Sequence, residues 1–87
     1  MKNNAVVISP LDNVAVAVCE LKAGSEVIGV PGRLSAATDI PRNHKLALVP
    51  IRAGEPVIKF GEPIGRASAD IRAGEWVHTH NLKSEGD

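Results

Sequence analysis

The 87 residues read as an all-β chain of about seven short strands, with at most one short helical turn. Three observations lead there. Proline and glycine recur along the whole length, from Pro10 and Gly24 through Pro31-Gly32, Pro41, Pro50 and Gly54 to Gly61, Pro63, Gly65 and Gly74. Between them the apolar runs are four to eight residues long and rich in Val and Ile, which suits strands, whereas helices usually need about ten or more. Finally, the block Ile51-Arg52-Ala53-Gly54-Glu55 returns twenty residues later as Ile71-Arg72-Ala73-Gly74-Glu75, each copy opening a new run.

Taken in order, Ala5-Val6-Val7-Ile8 is the first run, closed by Ser9-Pro10, and Asp12-Asn13 reads as a turn. Val14-Ala15-Val16-Ala17-Val18-Cys19-Glu20-Leu21 follows as a nearly continuous apolar strand, expected to be covered on both faces. Cys19 within it reads as an inert buried residue. Leu21-Lys22-Ala23-Gly24 is a weaker third copy of the apolar-basic-Ala-Gly turn, and Glu26-Val27-Ile28-Gly29-Val30 is the strand it feeds. Residues 33–40 suit either an alternating strand or one helical turn, and Pro41 ends both, because a residue before proline is pushed out of the α region. Leu46-Ala47-Leu48-Val49 is another buried strand, after which each copy of the repeat leads into a further one. The glycine of each Ala-Gly pair is expected to supply a positive φ before its strand begins. One domain is expected over residues 1–82, with residues 83–87 as a flexible tail.

Composition narrows the function classes. Ten basic residues balance ten acidic ones, so no electrostatic footprint for nucleic acid or an anionic membrane is present. Phe60 and Trp76 are the only aromatics apart from histidine, which removes base-stacking platforms. A single cysteine excludes a disulfide framework and a thiolate zinc cluster. The first apolar run is too short for a signal-peptide core or a membrane span, so a reducing, soluble compartment such as the cytoplasm is expected. A chain this small buries a modest fraction of its surface, and a partner or a homo-oligomer would add to its stability.

Aligning the two repeats exposes the main functional signal. Val57 matches Val77, while Ile58 and Phe60 fall opposite His78 and His80. Along a strand, alternate residues share a face, so two apolar positions of one copy become a same-face pair of imidazoles in the other. Such a pair can bind a substrate carboxylate, move a proton or serve as two metal ligands; its plainer reading is a half-exposed strand end. Spacing supplies no third metal ligand. His44 beside Lys45 offers a titratable base and a fixed cation, against the plainer reading of a polar turn. Strand alternation would send only one of the two into a shared site, and His44 is favoured. Lys59, between Ile58 and Phe60, can bind a carboxylate or simply face solvent. Asn81 can hold a substrate hydroxyl or close a turn, and Trp76, on the face of His78 and His80, suits core or interface packing.

These residues, in this order, resemble the SAF-type N-terminal domain of the altronate and galactarate dehydratase family. The resemblance is carried by Asp12-Asn13-Val14-Ala15-Val16-Ala17, Ile40-Pro41 with His44-Lys45, Lys59-Phe60-Gly61 with Ile64-Gly65, and Gly74 with Val77-His78-Thr79-His80-Asn81. The family pattern places a glycine before the His-Lys pair, where Asn43 stands here; asparagine tolerates a left-handed backbone better than other non-glycine residues. What the resemblance implies is a β-clip fold and a role as the small subunit or domain of a sugar-acid dehydratase. Such an enzyme removes water from an aldonic or aldaric acid to give a 2-keto-3-deoxy acid. It further implies a large catalytic subunit or domain as partner, and iron(II) or another divalent metal held mainly by that larger part. His44, His78 and His80 are then the catalytic candidates, Lys45, Lys59 and Asn81 the substrate-binding ones, and His78 with His80 the candidate metal ligands. Two alternatives stand beside this reading: the small subunit of (2R)-sulfolactate sulfo-lyase, a relative of the family, and a non-catalytic module for ligand binding or assembly.

Overall fold

A computed structural model describes residues 2–84, and among these described residues there is no helix and there are seven short strands in two antiparallel sheets, an arrangement compatible with a small β-clip. The strands are β1 (Ala5–Val6), β2 (Val14–Ala17), β3 (Lys45–Ala47), β4 (Pro56–Lys59), β5 (Glu62–Ala67), β6 (Trp76–Val77) and β7 (Leu82–Ser84). One sheet has the order β1-β2-β3-β6 and the other β4-β5-β7.

Consecutive residues of the four-stranded sheet go to different cores. Ala15, Ala17 and Leu46 join a cluster with Leu21, Val27, Ala36 and Ile40, against which Trp76 packs. Val14, Ala47 and Val77 join a second cluster with Ile51, Val57, Ala67 and Ile71. Alternation along a strand therefore explains a run that looks uniformly apolar: both faces of the sheet are covered.

The repeat is a structural unit. In both copies the backbone N–H of the arginine donates to the glutamate side chain, Arg52 to Glu55 Oε1 at 2.7 Å and Arg72 to Glu75 Oε1 at 2.8 Å. The two copies join through a reciprocal backbone pair between Ile51 and Ile71, at 2.9 and 2.7 Å. Gly24, Gly54 and Gly74 all have positive φ, as the Ala-Gly pattern predicts. Asp39 and Asp70 occupy matching places, each accepting from the alanine N–H of a turn (Ala23 and Ala53) at 2.9 Å.

Four expectations are corrected. The strand begun at Val14 ends at Ala17, and Cys19 is exposed, not buried, because the chain leaves the sheet after Val18 donates to Asn4 O. Residues 26–30 and 33–40 are neither a long strand nor a helical turn; single bridges, Glu26 to Ser35 and Leu21 to Ile40, hold them. Val49, at 49% exposure, lies outside the buried strand, which is Lys45–Ala47. Lys83 and Ser84, expected to open the tail, pair with Arg66 and Gly65 in the second sheet. The rest of that expected tail, residues 85–87, lies outside the described residues.

Candidate functional site

Three elements bring the candidate side chains together. Asn43, with φ 68°, turns the chain so that its N–H reaches Ala17 O and His44 O accepts from Ala17 N. His44 is thus pinned to the end of β2, just before β3 begins at Lys45. Lys45 lies opposite Val16 on one side and Val77 on the other. Strand alternation does not separate His44 from Lys45, because His44 precedes the strand and sits in the turn. Lys59 ends β4, which is docked on β2 by Asn13: its Oδ1 accepts from Ile58 N at 2.7 Å and its Nδ2 donates to Pro56 O at 2.9 Å. Asp12 holds the hairpin tip beyond, accepting from Gly61 N at 2.8 Å and Ser9 N at 3.1 Å. The turn read at Asp12-Asn13 is therefore also a clamp.

The third element is the segment after β6. His78 and His80 are not on a strand, which ends at Val77. Asn81 ends it: its Oδ1 accepts from His78 N at 2.9 Å, its Nδ2 donates to Trp76 O at 2.8 Å, and its own N–H closes the turn on His78 O. Asn81 is only 4% exposed, and of its two expected roles these bonds are those of a residue that closes the turn. The imidazoles are gathered instead by the Trp76 indole. His78 stacks on it at 5.4 Å and 9°, His80 tilts against it at 5.1 Å, and His44 lies 5.6 Å away. His44 and His78 are themselves 4.7 Å apart, and Trp76 Nε1 donates to His44 Nδ1 at 3.1 Å. Sequence reasoning gave Trp76 a packing role; it packs, and it also organises every histidine of the chain. Its place on the histidine face, where the first repeat has Pro56, was the available signal.

Electrostatics give the cluster its character. Burial, reinforced by repulsion from Lys59, pushes the Lys45 ammonium below its ordinary value. Burial also pushes His78 below the usual imidazole value, with the charges of His44, Lys45 and His80 adding to the effect. Both effects favour the uncharged form of the His78 imidazole. Lys59 Nζ lies 4.9 Å over the Phe60 ring. None of the ion pairs among the described residues engages Lys45 or Lys59. Lys45 and three imidazoles thus share one surface region, and Lys59 adds a second positive charge that Lys45 feels.

A metal ion needs at least three protein ligands, or positions completed from outside the chain. Among the described residues no group of three or more His, Cys, Asp or Glu side chains is placed to hold one, and His44 spends Nδ1 on Trp76. His78 and His80, the ligands expected from sequence, touch the indole rather than converging with a third donor. A cleft of about 280 Å³ lies elsewhere, at the repeat seam between Ile51 and Ile71, and contains none of the imidazoles. No helix among the described residues is long and apolar enough to cross a membrane.

Comparison with known proteins adds the family. The model of the altronate/galactarate dehydratase SAF domain matches residues 3–85. Altronate dehydratase of Escherichia coli (strain K12) is 48% identical over 77 residues, 88% of this chain and 16% of that protein. Altronate dehydratase of Bacillus subtilis (strain 168) is 38% identical over 73 residues, 84% of this chain and 15% of the relative. The (2R)-sulfolactate sulfo-lyase subunit alpha of Paracoccus pantotrophus is 49% identical over 53 residues, 61% of this chain and 79% of the subunit. The chain thus spans about a sixth of the length of the altronate dehydratases it matches.

Proposed function

We propose, from the premise that this chain belongs to the altronate/galactarate dehydratase SAF-domain family, that it is the small, carboxylate-holding part of a cytoplasmic sugar-acid dehydratase. The observation that carries the reading is Lys45, desolvated and repelled by Lys59, beside a cluster of three imidazoles, with neither lysine in an ion pair among the described residues. A half-buried ammonium is costly unless an opposite charge faces it, and a sugar-acid carboxylate supplies one.

The reaction is elimination of water across C2–C3 of an aldonic or aldaric acid. Lys45 and Lys59 bind the C1 carboxylate and offset the negative charge that builds as the C2 proton leaves. His78, whose uncharged form is favoured, accepts that proton; His44 donates one to the hydroxyl departing from C3. The enol left behind takes a proton at C3 and gives up its C2 hydroxyl proton, becoming the 2-keto-3-deoxy acid. A divalent ion would be held mainly by the larger polypeptide, where it would supply Lewis-acid stabilisation of negative charge on the substrate. That larger polypeptide, subunit or domain, completes the site. Phe60, 58% exposed with φ 58°, stands beside Lys59 with Leu11 next to the same hairpin tip, and this apolar rim suits contact with it.

Mixing the chain with its large partner and measuring keto-acid release tests the reading. The mixture is expected to turn over an aldonic or aldaric acid and the 87 residues alone are not; robust turnover by the isolated chain overturns the divided site. A second reading rests on the sulfo-lyase relative, whose subunit alpha is matched over 79% of its length. It keeps the proton abstraction and changes the leaving group to sulfite, and parallel assays with a 2-hydroxy-3-sulfo acid separate the two.

A further inference from the structure

Trp76 makes a contact that its packing does not require. Its backbone is fixed on every side: it pairs with Leu46, its N–H donates to Thr38 Oγ1 at 3.2 Å and its carbonyl accepts from Asn81 Nδ2. The indole that this anchoring presents lies among the three histidines, and its Nε1–H points at His44 Nδ1 from 3.1 Å. A neutral imidazole carries one N–H and one lone pair, on different nitrogens. A nitrogen that accepts from the indole has no proton of its own, so the His44 proton resides on Nε2.

We infer that Trp76 is a positioning residue that locks His44 in the Nε2–H tautomer, making it a proton donor toward the site and leaving His78 as the acceptor of the pair. Two imidazoles whose ring centroids lie 4.7 Å apart are chemically alike until something distinguishes them. The indole does so with one ring: it spends its N–H on His44 and offers only its π face to His78. Proton removal at C2 and proton delivery to the C3 hydroxyl need two groups in opposite states, and the lock sets them before substrate arrives. The assignment of donor and acceptor rests on the dehydratase reading; the tautomer does not.

Long-range ¹H–¹⁵N correlation spectra of the ¹⁵N-labelled 87-residue chain, recorded where the histidines are neutral, test the lock. The expected result is a single His44 tautomer with the proton on Nε2, and a scalar coupling between Trp76 Nε1–H and His44 Nδ1 across the hydrogen bond. Trp76→Phe, which keeps a ring and removes the N–H, is expected to give a mixture of tautomers. A His44 proton on Nδ1, a mixture in the unmodified chain, or no change in Trp76→Phe overturns the inference. Because the coupling is read in the unmodified chain, a variant that fails to fold leaves the test decisive. In the assembled dehydratase, Trp76→Phe is expected to lower kcat by about two- to tenfold, the worth of one hydrogen bond, with KM little changed. An unchanged kcat with the lock present overturns the donor role of His44. Loss of keto-acid formation by the unmodified assembly overturns the dehydratase reading while leaving the tautomer standing.

Discussion

Removing the Asn81 side chain should disturb the segment that carries His78 and His80 more than any other single truncation near the site. Asn81→Ala deletes an acceptor 2.9 Å from His78 N and a donor 2.8 Å from Trp76 O. Asn81 is 4% exposed, so water does not readily replace it. A partner-less buried polar group costs about 1–3 kcal/mol, and with two orphaned groups that can partly relax the expected loss is about 2–4 kcal/mol. A domain of this length has a total stability on the order of 5–10 kcal/mol, so the variant folds but loses a large share of its margin. Urea denaturation followed by the fluorescence of Trp76, the one tryptophan, reads both the global transition and the site. Asn81→Asp separates the two bonds: it keeps the acceptor for His78 N and sets an oxygen against Trp76 O, and should cost about 1–3 kcal/mol. Thr79→Ala, at an exposed position of the same segment, serves as the control and should stay within about 0.5 kcal/mol. If Asn81→Ala behaves like Thr79→Ala, Asn81 does not shape the segment and its side chain is free for substrate.

Gly54 and Gly74 hold matching places in the repeat with nearly the same φ, 87° and 84°, yet a Cβ on Gly54 meets open space and one on Gly74 meets the backbone of Ser35 and Ala37. Gly54→Ala should cost about 1 kcal/mol from the left-handed backbone alone, and Gly74→Ala at least about 2 kcal/mol more in the same urea experiment; equal losses would contradict the packing described. Phe60 and Gly61 both have positive φ in the two-residue link between Lys59 and Glu62, the backbone that favours Asn-Gly. Phe60→Asn is therefore expected to leave stability unchanged or raise it by up to about 1 kcal/mol while weakening association with the larger polypeptide, measured by titration calorimetry. Folding holds His78 below its ordinary value of 6.5, so the unfolded chain binds the proton more readily and stability rises with pH. That contribution is fully present above about pH 6.5 and is lost as pH falls toward the folded-state value; in His78→Gln the corresponding part of the pH dependence of the urea midpoint should disappear.

The fold was legible where local chemistry decides it. Short Val- and Ile-rich runs between Gly and Pro are too short for helices, and the Ala-Gly turns at Gly24, Gly54 and Gly74 take the positive φ their sequence requires. Strand lengths were not, because much of the chain is held by side chains that pair at long range. Asn4 ties the start to Glu26 O and Ile28 N, and Asn13 ties β2 to β4; neither partner can be read from the neighbourhood of the asparagine. The site follows the same division. His78 and His80 could be singled out because they replace apolar residues of the first repeat, and His44 because it stands beside Lys45; the three do meet. The reason for their meeting was hidden: strand alternation stops at Val77, and a buried asparagine with a tryptophan does the gathering. Lys45 and Lys59, fourteen residues apart, affect each other only because Asn13 docks one hairpin against the other sheet.

The most direct test of a carboxylate-holding half-site is the rate of keto-acid release by the assembled enzyme carrying His78→Ala, His80→Ala or Lys45→Ala. Loss of kcat by about a hundredfold or more for His78→Ala, and a raised KM for Lys45→Ala, with subunit association intact, is the predicted result. Unchanged rates together with weakened association would contradict it and leave the cluster as a docking surface.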